Sequence, residues 1–353
     1  MFLPPHLSLF PPIALFALAS LCPLALLWAG FTQGGLWTGA ALLYMTLLTG
    51  LLDQALSWVA PDTPEGAEFP AGDALLLALG GGALLVLPVG VWAVAGPSGF
   101  SVAERVAGFV ALGLWLGQVA IPAGHELIHR GNRLLFGLGV AVYVALLFGH
   151  HASAHRLVHH RHAASPLDPN TARSGEGYYA FFLRAWMGSF RAGWKAERAR
   201  RRPGGVHPYV VYTAGAGLAL LTGFVVAGWP GVAVWAGLAL HAQSQLLLSD
   251  YVQHYGLIRA RLPDGRLEPV AARHSWNAPH WFTARLLLNA PRHSDHHAHP
   301  SRPYPALRLP SADEAPMLPW SLPVACVIAL VPPLWRRLIA PHLAPWRRGI
   351  AKA

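Results

Sequence analysis

No lysine or arginine occurs before residue 105, although that stretch already contains three apolar runs of more than twenty residues. A helix needs about 20 consecutive apolar residues to cross the hydrocarbon core of a bilayer. Segments at 7–29, 36–59, 73–95 and 103–124 meet that length. Two more follow at 208–228 and 231–249, joined at Trp229-Pro230 by a turn without charge. The chain of 353 residues is 54% hydrophobic and only 12% charged, and that charged share is about half of the roughly 25% usual in soluble domains. These features predict an all-α, polytopic integral membrane protein with six transmembrane helices, built as a single membrane-embedded domain over residues 1–353. The run from Leu7 to Trp28 lacks a basic flank and is long enough to stay as a membrane helix.

The net charge of +10 raises the possibility of a nucleic-acid partner, but its distribution argues against one. All 26 basic residues lie after residue 104, mostly between apolar segments, as in the cytoplasmic loops of an inner-membrane protein. Residues 161–205 form a long polar stretch ending in the run Arg198 to Arg202, read as a solvated face. Residues 134–149 are apolar but short for a span, and the histidine groups on either side must share one face of the membrane, so this segment is read as re-entrant or interfacial. The tail at 317–339 is broken by prolines and reads as an interfacial or packed segment. Six crossings then leave both termini, every histidine group and 25 of the 26 basic residues on one side, with Arg105 alone on the other. The positive-inside rule assigns the histidine side to the cytoplasm.

Histidines concentrate where the apolar segments end. His125 and His129 stand four residues apart at the close of the fourth segment. His155, His159 and His160 follow in the region 125–205, and His254 comes directly after the last span, in the region 250–310. Arg292 to Pro300 reads R-H-S-D-H-H-A-H-P; if helical, it puts His293, His296 and His297 on one face. Nine imidazoles exceed what one metal needs and point to two, and a set made only of nitrogen admits iron, zinc or copper. The two cysteines, Cys22 and Cys326, are far apart and give no CxxC knuckle, so an electron-transfer centre must lie on a separate protein.

Taken together, His125-Glu126-Leu127-Ile128-His129-Arg130, the His155/His159/His160 box, Tyr251 to Leu257 and Arg292 to Pro300 resemble the four histidine motifs of the membrane-bound alkane 1-monooxygenases. These belong to the histidine-box superfamily of membrane desaturases and hydroxylases. The similarity runs over about residues 40–310 and takes in Pro166-Leu167-Asp168-Pro169, Asp264-Gly265-Arg266 and His274-Ser275-Trp276-Asn277. It implies a non-haem di-iron centre held by the nine histidines, O2 as co-substrate, and electrons from a rubredoxin with its reductase. Glu126, Asp168 and Asp295 are the candidates for carboxylates that orient the ligands. Three positions depart from the pattern: Ala154 and Gln253 stand where glutamate is usual, and Asp250 stands where asparagine is usual.

The implied reaction places one oxygen atom of O2 into a terminal C–H bond of a medium- or long-chain alkane or similar apolar molecule drawn from membrane lipid. In that reading the second helix flanks the substrate tunnel, with Met45 and Asp53 as candidate tunnel residues. The rivals are a fatty-acyl or lipid hydroxylase or desaturase on the same centre, a membrane zinc protease using His-Glu-x-x-His with Glu126 as base, and a metal-binding transporter. A transporter should place its ionisable groups near mid-membrane, whereas these histidines sit at helix ends.

Overall fold

The computed structural model describes residues 12–56, 58–200 and 204–348. The start of the 7–29 segment and Arg201 and Arg202 lie outside the described residues. Among the described residues the only β pairing is in isolated bridges, and the rest of the regular structure is helical. Among the described residues, five helices are long and apolar enough to cross a membrane.

The first four of these pack as two hairpins. α1 (Pro12–Gln33) turns into α2 (Leu36–Leu56) through Gly34 and Gly35, both at positive φ (67° and 56°), where a side chain would be strained. α3 (Gly72–Ala95) leads to α4 (Val102–Ile128). A capping box opens α4: Ser101 Oγ accepts from Glu104 N (3.3 Å), and Glu104 Oε2 accepts from Ser101 N (2.8 Å). The other Glu104 oxygen accepts from Gly35 N (2.7 Å), which ties the two hairpins together at this end. Arg105, the one basic residue here, spends its donors on the carbonyls of Val94 (2.6 Å), Gly96 (3.0 Å) and Phe100 (3.0 Å). It thereby neutralises the carbonyl end of α3.

The expected fifth and sixth segments form one 46-residue element, α8 (Pro208–Gln253), whose backbone leaves the helix at Ala227 (φ −151°) and Gly228 (φ 62°). The break falls two residues ahead of Pro230, and the arms meet so closely that a Cβ on Gly231 would overlap the carbonyl oxygen of Gly223. α8 packs against α3 and α4 to close the bundle.

Residues 134–149 contribute α5 (Arg133–Ala145), 13 residues long and therefore too short to span. Asn132 Oδ1 caps it by accepting from Leu134 N (2.8 Å). The chain then reverses at Leu147 (φ 55°) into α6 (151–162). α7 (Tyr178–Arg200) lies against α6, and α9 (Trp281–Leu286) and α10 (His293–Ala298) come from the loop after α8. The tail folds into α11 (Leu322–Ala329), packed on α8, and α12 (Pro332–Arg348).

Three helices carry a five-residue π-turn: α2 at Tyr44–Leu48, α4 at Leu116–Ala120 and α6 at His155–His159. Each inserts one residue and so resets which side chains face inward, a device common near functional sites.

Because Gly231 and Gly223 touch backbone to backbone, Gly231→Ala should push the arms of α8 apart. We expect a loss of about 1–3 kcal/mol, read as a lower melting temperature of the detergent-solubilised protein. An unchanged melting curve would show that the arms do not pack there.

Candidate metal centre

All nine histidines of the four motifs converge, in two groups. His125, His129, His155, His160 and His296 form the first, and His159, His254, His293 and His297 the second; within each, one ring nitrogen per residue lies within 4.8 Å of the others. The division follows helix geometry. On α6 the π-turn sends His155 and His160 to the first group and His159, between them, to the second. On α10 the i, i+4 pair His293 and His297 serves the second group, and His296 turns to the first.

The nitrogens crowd. In the first group the Nε2 atoms of His155, His129 and His160 form a triangle with sides of 3.1, 3.3 and 2.9 Å, and His125 and His296 add contacts of 2.8 and 3.1 Å. In the second, His293 Nε2 lies 2.9 Å from His254 Nε2 and 3.1 Å from His297 Nε2. A neutral imidazole has one N–H and one lone pair, so three nitrogens in a triangle cannot all satisfy one another. A shared cation that accepts each lone pair would remove that conflict, and the donor sets fit one. Burial, then the neighbouring imidazoles, hold His155, His160, His293, His296 and His297 well below the usual histidine pKa, in the neutral form a metal requires.

Of the three candidate carboxylates, Asp168 touches a cluster histidine most directly. Its Oδ2 receives His159 Nδ1 at 2.9 Å, which leaves His159 Nε2 buried without a protein partner on the side of the second group. Burial works against charge on His159, but the Asp168 carboxylate outweighs it and raises the pKa. Asp168 is itself fixed by Thr171 Oγ1 (2.7 Å) and Asn170 N (3.0 Å). Glu126 lies 3.8 Å from His125 Nδ1 and accepts from Tyr304 N (3.1 Å). Asp295 is drawn away from both clusters: it accepts from His299 Nδ1 (2.9 Å), Arg308 N (2.8 Å) and the Arg302 guanidinium, and so fastens the chain that follows α10.

A cavity of about 790 Å³ leads to the clusters, its wall mostly apolar; His125, His155 and His296 of the first group and His293 of the second reach it. Met45 is on this wall, in the π-turn of α2. Asp53 is not: both its oxygens are taken by the backbone N–H groups that open α9, Phe282 N (2.7 Å) and Thr283 N (2.8 Å), so it is a helix cap and not a tunnel residue.

Other supports carried no metal-like pattern in the sequence. Arg292 is buried and donates to Asp62 Oδ1 (2.6 Å) and Ala60 O (2.7 Å), joining the last histidine motif to the loop after α2. Asn277 Oδ1 accepts from Ser294 N and its Nδ2 donates to Ser294 Oγ (3.0 and 2.7 Å), pinning the start of α10. His151 and Tyr143 line the cavity beside His155, with His151 Nδ1 and Tyr143 Oη both buried and unpartnered. Because His151 sits four residues before His155, its place on the same face was readable from spacing alone.

The sequence model for fatty acid desaturases matches residues 103–327, well over half of the chain and all four histidine motifs. The chain belongs to the fatty acid desaturase family. Curated relatives similar to it include alkane 1-monooxygenase 1 of Pseudomonas aeruginosa, 35% identical over 69% of this chain and 65% of the relative. Alkane 1-monooxygenase of Pseudomonas putida is 34% identical over 68% and 61%, respectively. The xylene/toluene monooxygenase hydroxylase component of Pseudomonas putida is 32% identical over 70% and 67%. The chain thus spans just under two thirds of the length of the alkane monooxygenases it matches best among these. The relatives named here are monooxygenases by name, and so oxidoreductases, and two differently named kinds match the chain.

Seven of the nine histidines, all but His125 and His159, have pKa values lowered by burial. A histidine that resists protonation when folded loses stability as pH falls below about 6.5, where the unfolded chain takes up the proton; His159 acts in the opposite sense but is outnumbered. Metal-stripped protein should therefore melt at a lower temperature at pH about 5.5 than at about 7.5. Equal melting temperatures would contradict burial of neutral imidazoles. Asp168→Asn should weaken metal retention about 10–100-fold, measured by elemental analysis after dialysis against graded chelator, with the fold retained by circular dichroism.

Proposed function

We propose that the chain is a membrane monooxygenase that hydroxylates a terminal C–H bond of a medium- or long-chain alkane or similar apolar molecule. The observation that carries this reading is the apolar cavity, which ends on imidazoles of both clusters inside a bundle of apolar helices. The five-histidine group would hold one iron and the four-histidine group a second. Bound there, the two irons supply the two-electron activation of O2 that no side chain can perform. The balance is one C–H, one O2, two electrons and two protons in, with one alcohol and one water out.

The protein's part is to bind, orient and keep water out. The cavity wall reaches the outer surface at Leu47, Leu51 and Val327, all exposed, so an apolar chain can pass sideways from the bilayer between α2 and α11. Met45 lies deeper, fully buried, where it would set how far the chain extends. Six crossings follow if each arm of α8 spans, and the positive-inside rule then places the clusters on the cytoplasmic side of the inner membrane. Electrons would come from a separate rubredoxin, itself reduced by its reductase, because Cys22 and Cys326 are remote and unpaired. A fatty-acyl hydroxylase or desaturase on the same centre is the second reading, supported by the family match itself. A zinc protease fits poorly: His125 and His129 are joined by three further histidines, and Glu126 is engaged by Tyr304 N.

Protein purified in detergent from iron-57 medium should contain about two irons per chain by elemental analysis and Mössbauer spectroscopy. His296→Ala should lose iron while keeping the helical signal. One zinc and no iron would overturn the proposal. With a rubredoxin and its reductase, terminal alcohols should form from alkanes under this reading, and Met45→Trp should shift the profile toward shorter chains; an unchanged profile would remove Met45 from the substrate path.

A further inference from the structure

A polar stretch of the cavity wall lies inside the membrane-spanning part of α4 and α8. Gln118 and Gln245 line the cavity about two helical turns before His125 on α4, a rise of about 10 Å. The orientation of the two amides is fixed by their surroundings. Gln245 Nε2 donates to the carbonyl oxygens of Gly113 (2.8 Å) and His241 (3.2 Å). Its Oε1 is therefore an acceptor, and it faces Gln118 Nε2 at 3.5 Å. Gln118 must turn its NH2 toward Gln245, because the reverse orientation would set two carbonyl oxygens against each other. Gln118 Oε1 is left over, buried and without a hydrogen-bond partner.

The arrangement is built into the helices. A Cβ on Gly117 would collide with the Gln245 amide, so a glycine at that position is what lets the amide lie against α4. An unmet amide acceptor in an apolar setting is costly, and a bilayer offers no water to relieve it. A purely aliphatic ligand would leave that cost standing. A ligand that carries a hydrogen-bond donor at this depth removes it.

We propose that Gln118 is a specificity residue that selects an aliphatic chain bearing a hydrogen-bond donor remote from the carbon to be oxidised, of which a primary alcohol is the simplest case. The inference rests on the hydroxylase reading above. It adds that the cavity prefers an already functionalised chain to the parent alkane. The donor end sits at Gln118 and the far terminus at the metal clusters. The reaction would convert an alcohol, O2, two electrons and two protons into an α,ω-diol and water. The oxygen is the atom of Gln118 with no partner at all, so the ligand group that answers it is a donor, which an ether or ester of the same length lacks.

The test is binding, followed by turnover. Tritiated dodecanol is bound to the purified full chain in detergent and displaced with unlabelled dodecanol, dodecane or dodecyl methyl ether. Dodecanol should displace the label at about three- to tenfold lower concentration than either other ligand. In Gln118→Leu, and in Gln118→Met as a second variant should the first not fold, the three ligands should become equivalent, with dodecane binding at least as well as to the unaltered protein. Equal displacement by the alcohol and the ether in the unaltered protein would overturn the proposal while leaving the hydroxylase reading intact. Persistence of the alcohol preference in the folded variants would assign it elsewhere and overturn it too. Failure of all three chains to bind or to be oxidised by iron-loaded protein would sink both readings together. With the reductase system, the expected products of the unaltered protein given dodecanol are chiefly α,ω-diols, and Gln118→Leu should lower the ratio of alcohol to alkane turnover by a similar factor.

Discussion

Nine imidazoles taken out of water at the ends of helices are the constraint on which the rest of the structure turns. Burial makes the charged form of histidine costly, and each imidazolium makes its neighbours costlier still. Burial holds seven of the rings neutral, and a cluster with its lone pairs directed inward can persist only with something to receive them. Held together by Nε2 contacts of about 3 Å, the rings require their backbone carriers to be rigid. That is why so many buried hydrogen bonds just outside the clusters have no other evident purpose: Asn277 to Ser294, Arg292 to Asp62 and Ala60, Asp53 to the start of α9. They connect α2, α10 and the loops between them into one frame around the site.

Much of this was legible in the sequence, for a physical reason. Apolar runs of bilayer length are a strong signal because hydrocarbon leaves a helix little alternative. The histidines that end those runs share faces by simple helical spacing. The split into five and four was not legible, since it depends on the π-turn at His155–His159, where one additional residue sends adjacent His159 and His160 to different groups. Nor does spacing reveal where a carboxylate points. Asp295 sits between two cluster histidines in the chain, yet its oxygens go to Arg302, Arg308 and His299. Asp168, eight residues from the nearest histidine that precedes it in the motif, is the one that reaches a ring. Asp53 looked like a tunnel residue because it interrupts an apolar helix; its partners, Phe282 and Thr283, are 229 and 230 residues away and invisible to any local pattern.

The three departures from the histidine-box pattern have local explanations. At Ala154 the helices α6 and α7 come so close that a Cβ on Gly193 would lie 3.2 Å from the alanine Cβ, and a glutamate side chain has no room without separating them. Beside it, Ser153 Oγ donates to a carboxylate of α7, Glu197, at 2.6 Å. Gln253 donates to Ala290 O (3.0 Å) and accepts from Ser249 Oγ (2.9 Å), two neutral bonds that hold the end of α8 against the loop leading to α10. A glutamate there could accept from the serine but could not donate to the carbonyl, so the amide suits this pairing.

Asp250 is the departure with the widest reach. It is buried on the cavity wall, and its Oδ2 receives Asn170 Nδ2 at 2.6 Å. Asn170 in turn gives its backbone N–H to Asp168 Oδ1, and Asp168 Oδ2 holds His159. A single path of hydrogen bonds thus runs from the end of α8, through the loop after α6, to a ring of the second cluster. An asparagine at 250 could accept the same bond from Asn170, but without a charge. The aspartate makes the bond charge-assisted and so stiffer, at the cost of a carboxylate buried in the wall. That cost is tolerable where two groups of imidazoles, their nitrogens arranged to receive a cation, lie at the other end of the same path.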